Sequence, residues 1–207
     1  MATCPKSATL FVCVVSMVAF SNFAQAAFID RGGGMIYDDV LDITWLQDAN
    51  YAMTSGFDTD GLMDWDMAET WASTLSVGGH NNWRLPTHDP SNPRPVIPTL
   101  DNEIGSLWSQ LNGGSDITGA TDISPFQNLP LQTGGSEWYW TGLENDISTA
   151  WRISMNCACW DFQAKDAEFY AWAVRTGDVA VSEPSTLWLL GASLIGFGLT
   201  KRRRAAT

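Results

Sequence analysis

Three groups of side chains in this sequence have types and spacings suited to chemistry. The first is Asp58-Thr59-Asp60-Gly61, with Asp64 shortly after. Alternate carboxylates followed by a glycine resemble the start of a calcium loop, because Ca²⁺ takes hard oxygen ligands from a tightly curled backbone. The bidentate Glu that closes an EF-hand is missing at the matching offset, and Glu69 lies two residues away from it. Two readings stand. Asp58, Asp60 and Asp64 form a partial metal site, with calcium as the cofactor, or they are turn aspartates that hydrogen-bond their own backbone.

The second group is Cys157-Ala158-Cys159. Two thiols this close either bridge across a tight turn, in a disulfide that is easily reduced, or stay free, or hold a soft metal. No histidine lies near them in sequence, so a disulfide between Cys157 and Cys159 is the expectation. The third group is aromatic. Of 11 tryptophans, Trp138, Trp140, Trp151 and Trp160 fall on late predicted strands beside turn-rich loops. An exposed ring there can stack on the C–H face of a sugar, and core packing is the competing reading for each. Trp45, Trp65, Trp71, Trp83 and Trp172 fit core positions.

Catalytic signals are lacking. A hydrolase needs a nucleophile with its base, or two opposed carboxylates. The sequence has no Gly-x-Ser-x-Gly, His-Glu-x-x-His or phosphate loop. His80 sits in a Gly/Asn turn and His88 in a Pro-rich loop, and both read as surface histidines. No catalytic residue is assigned, and the chain is expected not to be an enzyme.

The elements that position these groups centre on Trp83-Arg84-Leu85-Pro86-Thr87. Trp83 and Leu85 alternate onto one face of a short strand. Arg84 between them offers a planar fork for carboxylates or carbonyls of neighbouring loops. Pro86 ends the strand because it has no N–H for the next ladder bond. Upstream, Trp65, Ala68, Ala72 and Leu75 predict a helix from Trp65 to about Val77, capped by Asp64 and stopped by Gly78-Gly79. Downstream, Ile104, Leu107, Trp108 and Leu111 predict a second helix over 102–111, with Asp101 as its cap. Met35 to Tyr37 and Val40 to Leu46 read as strands joined by an Asp38-Asp39 turn, with Gly32-Gly33-Gly34 as a flexible lead-in. The segment 48–61 reads as loop. Four late strands are predicted: 138–141, 151–155, 159–163 and 169–175. The fold class is α+β, two helices packed on mainly antiparallel strands.

Both ends read as addresses. Lys6, the apolar run 10–20 and Ala24-Gln25-Ala26 predict a signal peptide over 1–26. Cys4 and Cys13 belong to it. Residues 182–207 carry a predicted transmembrane segment, 186–200, and the basic tail Lys201-Arg202-Arg203-Arg204, which sets the tail on the cytoplasmic side. All 23 acidic residues but only six of the 11 basic ones lie within 27–183, a net charge of −17. Nucleic-acid binding, which needs a basic footprint, is excluded as an expectation.

Several stretches together resemble one family. Thr44-Trp45-Leu46-Gln47-Asp48-Ala49-Asn50-Tyr51, Trp71-Ala72, Trp83-Arg84-Leu85-Pro86-Thr87, Tyr139-Trp140-Thr141-Gly142 and Ala171-Trp172-Ala173-Val174-Arg175-Thr176-Gly177-Asp178-Val179 are similar to the Lcl C-terminal domain family. The resemblance covers nearly all of 27–181 and implies a C-type-lectin-like fold. A known member of that family is the C-terminal domain of a collagen-like adhesin that binds sulfated polysaccharides. Trp-Arg-Leu-Pro-Thr also occurs in formylglycine-generating-type domains, an enzymatic alternative. The Glu-Pro-Asn, Gln-Pro-Asp and Trp-Asn-Asp motifs of calcium-bridged lectins are absent.

The tail resembles a second family. Glu183-Pro184, the apolar run and the basic cluster are similar to the PEP-CTERM sorting signal, with Ser182 in place of its first proline. That resemblance implies exosortase-type machinery as a partner, an inner-membrane precursor with its domain in the periplasm, and delivery to the cell surface or matrix. The combined expectation is an exported, non-catalytic domain binding exopolysaccharide or matrix proteins, or a scaffold stabilised by divalent cations.

Overall fold

In the computed structural model, residues 28–94, 99–111, 123–130 and 138–179 are described. The predicted signal peptide over 1–26, the tail from 180 on and most of 112–137 lie outside them. Among the described residues no helix is long and apolar enough to cross a membrane.

Apolar alternation and two turns build the first sheet. Strands β1 (Phe28–Gly32), β2 (Met35–Asp38) and β3 (Ile43–Leu46) form an antiparallel meander. Gly33 and Gly34 take φ of 63° and 79° between the paired Gly32 and Met35. They make the tight hairpin turn whose positive φ angles suit strand twist. The glycine run is therefore part of the sheet, not a lead-in. Asp38 closes the next turn by accepting from the backbone N–H groups of Val40 (3.0 Å) and Leu41 (3.2 Å).

The predicted strand 169–175 divides between two sheets. Strand β9 (Val174–Thr176) pairs with β3 to complete the first sheet, in the order β1-β2-β3-β9. Strand β8 (Phe169–Tyr170) belongs to the second, with β4 (Leu62–Met63), β5 (Trp138–Glu144), β6 (Thr149–Ser154) and β7 (Cys159–Ala164), in the order β4-β8-β5-β6-β7. Long-range bonds hold the crossover. The Trp172 indole donates to the Leu46 carbonyl at 2.7 Å, and Leu46 N–H donates to the Ala173 carbonyl at 3.1 Å.

A short helix α1 (Tyr51–Thr54) interrupts the segment expected to be all loop. Helix α2 (Trp65–Thr74) starts at its predicted cap, where Asp64 accepts from Met67 N–H at 2.7 Å. It ends early, at extended Leu75. Gly78 and Gly79, at φ of 61° and 82°, instead turn the chain between Val77 and His80, which exchange both backbone hydrogen bonds. Helix α3 (Glu103–Gln110) follows a single 3₁₀ turn over Leu100–Asn102. Its cap is Asn102, not Asp101, because the Asn102 side chain accepts from Gly105 N–H at 3.0 Å. Ile104, Leu107, Trp108 and Leu111 are buried as their spacing predicts.

The core lies between the sheets and helices, around fully buried Trp45, Trp71, Tyr139, Trp140 and Trp172. Indole N–H groups tie distant elements, Trp65 to the Thr141 carbonyl and Trp140 to the Met63 carbonyl. These bonds satisfy the one polar group of a large apolar ring. The result is a mixed helix-and-strand fold with two sheets and few helices.

Candidate functional site

Trp83-Arg84-Leu85-Pro86-Thr87 forms a clamp. Arg84 and Val174 exchange both backbone hydrogen bonds at 2.9 Å, setting the stretch against β9. This is an isolated bridge rather than a strand. Trp83 and Leu85 are buried, while Arg84 grips Glu103 of α3 with two hydrogen bonds of 2.6 and 2.7 Å. Glu103, whose side chain is 1% exposed, also accepts from Thr87 N–H at 2.9 Å. This pairing holds the Arg84 guanidinium above its ordinary pKa. The Pro86 carbonyl accepts from Gly142 N–H, fastening the exit of the stretch to β5.

Beyond the clamp the chain folds over a cleft of ≈440 Å³, walled by Thr87–Pro90, by Leu100 and Asp101, and by Gly142 and Leu143. His88 belongs to this wall and is only 4% exposed. It was expected at the surface, but packing against Trp151, with ring centroids 5.7 Å apart, buries it. Among the described residues neither ring nitrogen has a hydrogen-bond partner. Burial pushes the His88 pKa down, partly offset by nearby Asn102 and Asp89. The Asn102 amide is itself turned to the Asn92 carbonyl at 2.7 Å and does not meet hydrogen-bond geometry with the imidazole.

A row of rings leads away from the cleft. Trp151 on β6 packs edge-on against Phe162 on β7, with centroids 5.4 Å apart, as the cross-strand register requires. Phe162 is 50% exposed, and Trp160, two residues earlier on the same face, is 38% exposed. Among the described residues strand β7 closes the second sheet and pairs with β6 alone. Its Trp160-x-Phe162 alternation is the signal that reveals this face; Phe162 was not among the predicted residues.

The four predicted sugar-stacking tryptophans therefore separate. Trp160 is exposed and Trp151 half-buried in the row. Trp138 and Trp140 lie on the opposite face, because the register pairs Tyr139, not either neighbour, with Ile153 and through it Trp160. Trp138 is half-buried beneath the Arg152 guanidinium, 4.1 Å from its ring centroid. Trp140 is a core residue, fully buried and packed edge-on against Phe169. It cannot meet a ligand without unfolding.

The predicted metal aspartates do not converge. Asp58 accepts from the N–H groups of Asp60 (3.0 Å) and Gly61 (2.8 Å), which hold its carboxyl below the usual range. Asp60 accepts from Leu62 N–H at 3.0 Å, and Asp64 caps α2. Among the described residues no group of three or more His, Cys, Asp or Glu side chains is placed to hold a metal ion. Local turn chemistry accounts for the spacing.

Cys157 and Cys159 are joined by a disulfide in the turn between β6 and β7. With both sulfurs in that bond, neither is a thiolate ligand. Arg94 donates to the Cys157 carbonyl and lies over the Trp108 ring, fastening this turn to α3.

Residues 180–204 match the PEP-CTERM protein-sorting motif, a span that includes Glu183, Pro184 and Lys201 to Arg204. The chain is thus an exosortase-targeted, surface-sorted protein. No curated protein matches it, and no matching family model supports the Lcl resemblance of 27–181.

Proposed function

We propose that the domain is a non-catalytic carbohydrate-binding module, Lcl-type and C-type-lectin-like, displayed in an exopolysaccharide-rich envelope. Export by the signal peptide places it in the periplasm on an inner-membrane precursor, and sorting carries it to the surface. The observation behind this reading is the row of half-buried Trp151 and exposed Phe162 and Trp160 on β6 and β7, whose inner end packs on buried His88 beside the cleft. Flat rings in series suit a polymer of flat-faced sugars, since each ring offers area at little entropic cost. The cleft volume falls within the roughly 300–1,000 Å³ of small-molecule sites. Matrix proteins are the competing partner, and the formylglycine-generating alternative draws no support from a cysteine pair bonded to itself.

A glycan array probed with the full chain in detergent, with calcium and with chelator, tests this. The expected result is saturable glycan binding that is equal in both buffers. Absence of binding in both would sink the proposal.

A further inference from the structure

The turn between β6 and β7 closes a disulfide around a single residue. Cys157 and Cys159 are both half-buried, and only Ala158 lies between them. A bridge serves a fold best when it closes a long loop, because it then removes much freedom from the unfolded chain. This loop is as short as it can be with a residue inside. The hairpin does not depend on it either, since β6 and β7 pair continuously from Thr149 with Ala164 to Ser154 with Cys159. Ala158 is buried at φ of 48°, a left-handed conformation that a residue with a Cβ adopts at a cost. The bond thus contributes little as a staple.

The second observation is a cation at one of the two sulfurs. Arg94 places a guanidinium nitrogen 3.9 Å from Cys159 Sγ, and the same nitrogen donates to the Cys157 carbonyl. Its guanidinium carbon lies 5.6 Å from the centre of the Trp108 ring, which steadies that approach. A sulfur that leaves a disulfide departs as a thiolate, and a neighbouring arginine lowers the cost of the new charge. Cys157 Sγ has a weaker partner, the Cys159 backbone N–H at 3.2 Å. Cys159 is therefore the better leaving group, and Cys157 the sulfur open to attack.

We propose that Cys157–Cys159 is a thiol–disulfide exchange site, which accepts two electrons from a pair of thiols on an exported partner. The partner's first thiolate attacks Cys157 Sγ. A bond forms between those sulfurs as the Cys157–Cys159 bond breaks, and its electron pair goes to Cys159 as a thiolate beside Arg94. The partner's second thiolate then attacks the partner sulfur of this mixed disulfide and expels Cys157. The partner leaves with its thiols oxidised to a disulfide. Cys157 and Cys159 are left reduced and take up the two protons that the partner's thiols gave up. This inference does not rest on the glycan-binding reading.

The test exposes the full chain in detergent to glutathione buffers, two glutathione molecules supplying the two thiols. Quenching, alkylation and mass measurement of the tryptic peptide 153–165 then report the bond. That peptide holds both cysteines and excludes Cys4 and Cys13. Structural disulfides resist the glutathione pool. With glutathione largely reduced, this bond should be mostly open while tryptophan fluorescence keeps its folded value. Arg94→Gln should slow the reduction about threefold. Arg94→Lys should restore most of the rate, and Arg31→Gln, the same charge change on β1, should leave it unaltered. A bond that stays closed, or that opens only as fluorescence reports unfolding, would overturn the exchange site. Reduction of Arg94→Gln at the wild-type rate or faster would overturn the part given to Arg94, and with it Cys159 as the leaving group.

Discussion

Two acidic loop regions of this molecule invite the same interpretation and behave differently. The segment 58–64 has the denser carboxylates, yet its aspartates accept from their own turn N–H groups or cap α2. The cleft at 87–101 has fewer acids, and Asp89 likewise accepts from its own turn at Ser91, but the cleft adjoins a row of aromatic rings that runs out to exposed Phe162 and Trp160. Carboxylate density alone does not make a site. Exposed aromatic rings in series next to open volume are the stronger indication.

The difference should appear in stability. The cleft is framed by a long-range ion pair, and the aspartate segment by local bonds. Arg84→Ala leaves Glu103 buried without its partner, and the cost should be about 3 kcal/mol, at the low end for such pairs because Arg84 is partly exposed. Asp64→Ala removes a helix cap and should cost about 1 kcal/mol. Urea denaturation compares the two. A smaller loss for Arg84→Ala than for Asp64→Ala would break the distinction. Calcium adds a sharper test, because the wild-type melting temperature should be the same in calcium and in chelator.

A subtler effect is carried by His88, whose folded pKa is depressed from an ordinary 6.5. The unfolded chain therefore binds more protons than the folded one as pH falls below about 6.5. His88 contributes full stability above that pH and loses it on acidification, down to the folded pKa. Glu69 has the opposite sign, because burial first and Glu144 second raise its pKa from 4.5. Its protonated form favours the fold, and that advantage disappears as pH rises through the raised value. His88→Asn should flatten the stability profile just below pH 6.5, and Glu69→Gln should flatten it above 4.5. Unchanged profiles would contradict the placement of these two groups.

Local chemistry was legible in the sequence. Asp64 capped its helix, the stripe from Ile104 to Leu111 went to the core, and Trp83 and Leu85 alternated inward. What could not be read depended on residues far apart. Glu103 meets Arg84 across 19 positions, and a bond from Trp172 to Leu46 pulls the strand at 169–175 into two sheets. Trp140 and Trp160 look alike in sequence, but the register sends them to opposite faces. His88 has every local mark of exposure, and only a tryptophan more than sixty residues away buries it. The cap of α3 moved by one residue because a 3₁₀ turn took up Asp101 first.

In the function proposed, ligand meets the ring row and its cleft, not the aspartate segment. The most direct measurement is glycan binding by three full-length proteins: wild type, Trp160→Ala combined with Phe162→Ala, and Asp58→Ala combined with Asp60→Ala. The ring variant should lose binding at least about tenfold, in line with removing aromatic anchors, while the aspartate variant binds as wild type does. Binding retained by the ring variant and lost by the aspartate variant would place the site in the other loop.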